Sequence, residues 1–289
     1  MQFQGRLFCG LALALVIASL AGARLDLPGE LVAAGVLLLL LGMPHGSLDV
    51  VVARELIGVG SFKKWALFSL IYLGLAAAVV CFWALAPTLF LCVFLVSSAL
   101  HFGGDLAAGA PSLLRVLYGG AVIVLPGLWH EVELQRLLGL VAGPASAAFV
   151  TPLLSQLAGP WLVATVLAGA LQARTSRHAA CEAAALAALA VTAPPLIAFT
   201  AYFCAMHSPR HVLKSLMGLP AARVRSALRL AVWPTLAVLA TAALLGLLAS
   251  ELPMEARMMQ IVFVGLAALT LPHMVLIEHV RRVGLPTNR

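Results

Sequence analysis

The sequence predicts an all-α protein, a polytopic bundle of transmembrane helices, on three observations. The chain of 289 residues is 63% hydrophobic and only 10% charged, whereas soluble domains are roughly half apolar and about a quarter charged. Its apolar residues come in runs of about 20, the length that crosses a hydrocarbon core of about 30 Å. Its basic residues collect on alternate connections between those runs. We therefore expect a single integral-membrane domain over residues 1–289.

The apolar runs give about ten predicted spans, or eight to nine if closely spaced pairs are single broken or re-entrant elements. The run 179–193 is short and rich in alanine, and little more than Ala86-Pro87-Thr88 separates the third span from the fourth. The first run follows Arg6 and ends in small residues, which fits a signal sequence or a retained helix. We expect the retained helix, because a polytopic protein needs no separate signal. The predicted spans are 7–23, 29–52, 65–86, 87–103, 113–129, 150–173, 179–193, 195–217, 227–249 and 257–280.

Charge placement predicts the orientation, because cytoplasmic loops of membrane proteins collect Lys and Arg. With a cytoplasmic N-terminus, fifteen of the eighteen basic residues fall on the inner side, and Arg24, Arg136 and Arg257 fall outside. The net charge of +7 then reflects membrane topology. No basic run with interleaved aromatic residues points to nucleic acid.

Five histidines fall at one predicted depth. His207 and His211 are four residues apart, so on a helix they share a face and their imidazoles can converge on one metal ion. His45, His101 and His273 lie on other spans of the same direction. The five lie 12 to 16 residues from the predicted outer ends, a spread of about 6 Å along a helix axis. Any one of them could be an interhelical hydrogen-bonding group, but an intramembrane histidine is a functional-site hypothesis by default.

The ligand types limit the metal. Imidazole suits zinc, copper, iron and nickel, and no cysteine accompanies the five histidines. Four or five neutral histidines leave one or two octahedral positions open, which would allow iron(II) to take O2. The remaining histidines fall at span ends and are expected to be interfacial: His130, His178 and His279.

Two carboxylates follow two of these histidines at helical spacing. Asp49 comes four residues after His45, and Asp105 comes four residues after His101. Each acid shares a face with its histidine if the helix continues that far. Metal-ligating histidines usually donate their other ring N–H to a carboxylate or a carbonyl, so both acids are candidates for that role. The alternative is that they form ion pairs with Arg54 or Lys64 at the inner membrane surface.

Aromatic residues continue two of the histidine faces outward. Phe90 and Phe94 lead at helical spacing to the histidine of the fourth span, and Phe199 and Phe203 lead to the first histidine of the eighth. Such a stripe is most often ordinary helix packing. If it lines a cavity instead, that cavity suits a long apolar polyene.

Four motifs surround the histidines: Pro44-His45-Gly46-Ser47-Leu48-Asp49, His101-Phe102-Gly103, Tyr202-Phe203-Cys204-Ala205-Met206-His207-Ser208-Pro209-Arg210-His211 and Pro272-His273. Together they resemble the Brp/Blh family of integral-membrane β-carotene 15,15′-dioxygenases, which are often associated with microbial rhodopsins. The resemblance covers the chain from about residue 40 to about residue 280, nearly its whole length.

The resemblance implies an iron(II) dioxygenase in the cytoplasmic membrane of a prokaryote that uses O2 to split the central double bond of β-carotene into two retinal molecules. It implies no catalytic residue beyond the metal centre, and a retinal-binding rhodopsin as a partner. His273 would be a fifth ligand or a neighbour of the metal, as would the two acids. The iron ligands implied by the motifs are His45, His101, His207 and His211.

Two other classes of membrane protein use intramembrane histidines. A haem-binding electron carrier uses them as axial pairs across a porphyrin. A transporter or an assembly factor without catalytic activity uses them to relay protons or ions. Sharp Soret absorption would identify the first class, and a lack of stoichiometric iron would identify the second.

Overall fold

The computed structural model describes residues 2–55, 57–106, 110–217 and 219–282, and within these ranges all regular structure is helical. The predicted all-α class is therefore confirmed for the described part of the chain. Its α-helices, in chain order, are α1 (Gln2–Leu20), α2 (Leu27–Leu37), α3 (Pro44–Ser47), α4 (Asp49–Glu55), α5 (Phe62–Leu85), α6 (Pro87–Phe102), α7 (Ser112–Val124), α8 (Glu131–Ala142), α9 (Pro144–Gln172), α10 (Arg177–Thr192), α11 (Pro195–Tyr202), α12 (Ser208–Met217), α13 (Ala221–Leu248), α14 (Met254–Met259) and α15 (Gly265–Arg282).

Among the described residues, seven helical stretches are long and apolar enough to cross a membrane, with Leu27–Glu55 and Met254–Val280 each taken as one stretch. An eighth is added if Ser112–Leu128 and α8, which meet at a bend of 114°, form one broken span. The predicted spans 179–193 and 195–217 are helical but are not among these seven. The predicted count of about ten spans is thus not confirmed.

Three π turns interrupt the helical stretches that lead to the histidines. They cover Leu38–Gly42, Phe203–His207 and Gln260–Val264. Such wide turns occur frequently at functional sites. The first two turns touch, because a Cβ atom on Gly42 would lie only 2.8 Å from Cε1 of Phe203. Glycine at position 42 therefore allows the close approach of the two turns.

Side-chain caps fix the starts of three helices. Asp26, Ser61 and Ser176 each accept a hydrogen bond from the backbone N–H three residues later. Each cap satisfies one of the donors that a helix N-terminus leaves unpaired. These contacts set where α2, α5 and α10 begin.

The main apolar core lies where α6, α7, α9, α10 and α11 pack together, with α1 along α10. At the contact of α6 with α7, Gly119 lies directly against the backbone of Ala99, which leaves no room for a side chain. By contrast, α5 has no buried residue and packs on α15 and α6 at the edge of the bundle. The elements that carry the five histidines meet beside this core.

Candidate metal centre

Five histidine rings from α3, α6, α12, α15 and the π turn before α12 converge at one place. The ring centroids of His207 and His211 are 4.6 Å apart, and that of His101 lies 4.9 and 5.2 Å from them. His45 lies 5.2 Å from His207 and 5.9 Å from His211. His273 lies 5.5 Å from His101 and 5.6 Å from His45. The structure thus brings together all five histidines that the sequence predicted at one depth.

The ring nitrogens of this cluster fit a metal ion. One nitrogen each of His101, His207 and His211 lie within 4.8 Å of one another. Metal–nitrogen bonds of about 2.1 Å put opposite ligands about 4.2 Å apart, so a slight closure would let the three hold one ion. Within the described chain, the buried Nε2 atoms of His207, His211 and His273 make no hydrogen bond. Buried polar atoms without a partner are rare, and coordination of a metal would account for these three.

Three of the histidines are oriented by a hydrogen bond at Nδ1. His207 places Nδ1 2.8 Å from Oδ2 of Asp105, and His273 places Nδ1 2.7 Å from Oδ1 of Asp49. His45 places Nδ1 2.5 Å from the carbonyl oxygen of Gly42. Because each of these oxygens accepts, Nδ1 carries the hydrogen and Nε2 keeps its lone pair. Donation from the distal nitrogen in this way is the usual support of a metal-ligating histidine.

The predicted pairing of Asp49 with His45 is wrong. The helix breaks at Leu48, where α3 ends and α4 begins at Asp49, so the four-residue spacing does not put the two side chains on one face. Asp49 instead accepts hydrogen bonds from His273 and from the hydroxyl of Tyr72, at 2.7 and 2.9 Å. The carboxylate therefore serves a histidine of a different helix.

The predicted pairing of Asp105 with His101 is also wrong. Asp105 ends a 3₁₀ turn that follows α6, and the tighter turn moves it off the face of His101. Its Oδ2 accepts from Nδ1 of His207 and from the hydroxyl of Tyr202, at 2.8 and 2.6 Å. Its Oδ1 lies 3.5 Å from Nε2 of His211. One carboxylate thus contacts both histidines of α12 and its preceding turn.

The alternative ion pairs at the inner surface do not form either. Asp49 and Asp105 are buried, with 3% and 1% of their surface exposed. Arg54 contacts Glu55, and Lys64 donates to a backbone carbonyl oxygen. Both acids therefore belong to the interior of the histidine cluster.

A buried ion pair behind α12 was not predicted from the sequence. Arg210, which is 5% exposed, donates from Nη2 and Nη1 to the two carboxylate oxygens of Glu182, at 2.7 and 3.1 Å. Its Nη1 also donates to the carbonyl oxygen of Asp105 at 2.6 Å, and its Nε to Oε1 of Gln4 at 3.1 Å. A single acid inside the alanine-rich run 179–193 was the signal, because an acid within an apolar span usually has a specific partner.

An apolar cavity of about 90 Å³ adjoins the histidines. Phe102 forms part of its wall, and the ring of Phe102 meets that of His207 edge to face with centroids 4.8 Å apart. Nearly all of the lining is aliphatic or aromatic, as in most small-molecule sites. Other lining residues include Leu91, Leu95, Ser98, Val122, Leu134, Leu137, Leu196, Met259 and Phe263.

Of the four predicted stripe residues, two line this cavity. They are Phe94 and Phe199. Phe90 stacks on Phe94, and Phe203 stacks on Phe199, with centroids 5.8 and 5.4 Å apart. The stripe therefore combines the two alternatives, because it packs helices together and also forms part of a cavity wall.

The three remaining histidines lie outside the cluster. His130 approaches the carbonyl oxygen of Thr192 at 3.3 Å, and His178 approaches Glu182 at 3.2 Å. His279 is exposed near the end of α15. None of them shares a ring contact with the five converging histidines in the described chain.

Comparison with known proteins gives a consistent assignment. The family model described as β-carotene 15,15′-dioxygenase matches residues 36–281. The chain is 32% identical over 262 residues to a β-carotene 15,15′-dioxygenase of an uncultured marine bacterium, 66A03, which covers 85% of this chain and 92% of that protein. It is 26% identical over 205 residues to a probable β-carotene 15,15′-dioxygenase, Blh, of Halobacterium salinarum, with 61% and 59% covered. No solved structure matches the chain. The chain belongs to the β-carotene 15,15′-dioxygenase family.

Proposed function

We propose that the protein is a membrane-embedded non-haem iron(II) dioxygenase that cleaves the central double bond of β-carotene with O2 to give two molecules of retinal. The observation that carries the proposal is the cluster of five histidine rings against an apolar cavity. Membership of the β-carotene 15,15′-dioxygenase family supports the reaction and the substrate.

The donor set supports the metal. Iron(II) held by imidazole nitrogens would supply the activation of O2, because nitrogen ligands suit this ion and leave positions open. His273 is the candidate for a fifth nitrogen, since its Nε2 is buried without a partner in the described chain and its Nδ1 is bound to Asp49. The proposed ligands are His45, His101, His207 and His211.

In the reaction, the protein itself would bind the substrate, orient the histidine rings and exclude water. The cavity wall of Phe94, Phe102 and Phe199 offers apolar surface to a polyene and directs it toward the ring of His207. Asp105 and Asp49 hold two histidine rings by their Nδ1 atoms, so the Nε2 atoms stay directed into the cluster. An apolar wall also keeps water away from the reacting double bond.

The outer surface supports residence in a lipid bilayer, which would supply the carotenoid. None of the residues of α5 is buried, and in α13 only Ala227 and Ala231 are buried, so both helices turn apolar surface outward. Contiguous apolar surface of this extent is unusual on a soluble monomer and typical of a membrane face. We place the protein in the cytoplasmic membrane of a prokaryote, where a retinal-binding rhodopsin would be the acceptor of the product.

The spacing of the rings argues against the haem alternative. Centroids of neighbouring rings lie 4.6 to 5.9 Å apart in all directions around the cluster. A porphyrin plane inserted between any two of them would occupy the space of the other rings. The geometry therefore suits one small ion.

The proposal is tested by the histidine pair of α12 and its preceding turn. His207→Ala and His211→Ala should each lose iron and retinal formation together, because each removes one nitrogen while the lipid-facing surface is unchanged. The double variant should be little worse than either single one, since residues that act as a unit are strongly non-additive. The measurement is iron per protein after anaerobic purification, with retinal formed in a β-carotene-producing host. His130→Ala, outside the cluster, is the matched control and should behave like the wild type.

Three outcomes would contradict the proposal. Normal iron content and normal retinal formation in His211→Ala would mean that His207 and His211 are not a pair of ligands. Sharp Soret absorption of the wild type would favour a haem carrier. Correct insertion without stoichiometric iron would favour a transporter or an assembly factor.

The orientation proposed here, with the N-terminus in the cytoplasm, has a separate test. A reporter fused after Arg225 should be cytoplasmic, and one inserted near Glu131 should be external, because the basic loops fall on the inner side. The reverse result at both positions would overturn the orientation and leave the metal centre untouched.

A further inference from the structure

We infer that Arg210 is a positioning residue of the metal centre, which keeps Asp105 in register with His207, and that Gln4 makes α1 a part of this centre. The inference rests on the proposed function, because it assigns a role toward the metal that the histidines would hold. It adds three residues to that site: Arg210, Glu182 and Gln4.

Asp105 is bound at two points by two residues of one helical turn. Arg210 donates from Nη1 to the backbone carbonyl oxygen of Asp105 at 2.6 Å, and His207 contacts the carboxylate of the same residue at 2.8 Å. Arg210 follows His207 by three residues, so the two contacts come from adjacent positions on the helix surface. A residue that is held at both its backbone and its side chain cannot swing about either contact. Arg210 therefore fixes where the carboxylate stands relative to the ring of His207.

The guanidinium is itself held in place. Its two-point contact with Glu182 uses the planar fork that distinguishes arginine from lysine. Gln4 accepts from Nε of Arg210 at 3.1 Å and donates from Nε2 to the carbonyl oxygen of Ala205 at 2.6 Å. Through this amide, α1 is joined to the π turn that ends at His207. Gln4 lies outside the segment 36–281 that the family model matches.

Stability of the fold does not by itself account for this ion pair. The side chains of Arg210 and Glu182 are 6% and 3% exposed, and burial of two charges requires their desolvation. Replacement of such a pair by apolar residues of similar volume is often neutral or stabilising. The contact to Asp105, by contrast, is one that an apolar pair cannot make. The role of Arg210 is thus to fix the position of Asp105.

The test removes the pair without leaving an unpaired charge. The double variant Arg210→Met with Glu182→Leu should insert and melt like the wild type, yet bind cobalt(II) about 10- to 100-fold more weakly and with an altered visible spectrum, as changes behind metal ligands do. In the metal-free protein, amide hydrogen exchange over residues 203–211 should become faster. Arg210→Lys should give an intermediate loss, because an ammonium cannot reproduce the planar fork.

The matched control is a second arginine–glutamate pair that lies away from the cluster. Arg136 and Glu255 are 3.0 Å apart, the first exposed and the second partly exposed, so Arg136→Met with Glu255→Leu should leave metal binding and exchange unchanged. Gln4→Ala should speed the exchange of residues 203–211 to a smaller degree than the double variant does.

The inference would be overturned if the double variant had the cobalt spectrum, the cobalt affinity and the amide hydrogen exchange of the wild type. If the wild type binds no metal, the proposed function fails, and the exchange of residues 203–211 decides the inference alone. If the double variant does not insert, Arg210→Lys decides, and unaltered metal binding and exchange in that variant would overturn the inference.

Discussion

Asp105 and Asp49 occupy equivalent places on two sides of the histidine cluster, yet the protein holds them in different ways. Each accepts hydrogen bonds from one histidine and one tyrosine. Asp105 is bound by Tyr202, which is 0% exposed, and its backbone is bound by Arg210. Asp49 is bound by Tyr72, which lies on the peripheral helix α5.

The site therefore has two halves. One half is part of the core, and the other depends on an outer helix. The Asp105 half contains both histidines of the α12 region, and its supports all come from buried residues. The Asp49 half contains His273, and its tyrosine belongs to α5, a helix with no buried residue. We expect the first half to be the more rigid and the second to tolerate more change.

The largest difference should appear when the carboxylates are changed. Asp105→Asn should lower iron affinity about 100-fold, the upper end of effects behind metal ligands, because the carboxylate holds the most buried ring of the cluster, His207, and is itself held by Tyr202. The measurement is an anaerobic iron titration of purified protein, with retinal formation as a second readout. An affinity within a few-fold of the wild type would mean that Asp105 does not orient the ring of His207.

Asp49→Asn should have a smaller effect, of about 10-fold, at the lower end of the same range. It replaces the charged acceptor of one histidine, His273, by a neutral amide and leaves the supports of His45 and His207 unchanged. The same titration compares the two variants directly. A loss equal to that of Asp105→Asn would erase the distinction between the halves, and normal iron with full activity would remove Asp49 from the centre.

The tyrosine hydroxyls should affect the stability of the fold, and again the two halves should differ. Tyr202→Phe removes a buried donor to a carboxylate and should lower the free energy of unfolding by about 1.5–3 kcal/mol, the range for hydrogen bonds to charged groups. Tyr72→Phe should cost about 1 kcal/mol or less, because its hydroxyl is partly reached from outside. Thermal unfolding in detergent compares the two, and equal losses would contradict a more rigid Asp105 half.

The sequence predicted the helices far better than their interruptions. Most apolar runs became helices with ends within a few residues of the prediction, because run length and apolarity are local properties. Helix α8 was missed as a regular element, since its acids and Arg136 resemble a loop. The break at Leu48 and the tight turn ending at Asp105 depend on contacts between distant helices, which no local pattern contains.

The same distinction explains which site residues were found. The convergence of five histidines followed from counting residues along spans of one direction, and the structure brings these rings together. The partners of the two acids could not follow from spacing, because both acids stand just beyond a helix break. Tyr72 and Gln4 carried no signal of their own, since their partners lie on helices far away in the sequence.

The π turns also make the site depend on residue number as well as residue type. Residues Leu38–Gly42 and Phe203–His207 each form a turn with one residue more than an α-helical turn needs. Deleting one residue from an α-helical part of either span would rotate everything beyond it by about 100°, which would turn His45 or His207 out of the cluster without changing the apolar character of the span. Sequence drift at lipid-facing positions should therefore be far better tolerated than any insertion or deletion inside these two spans.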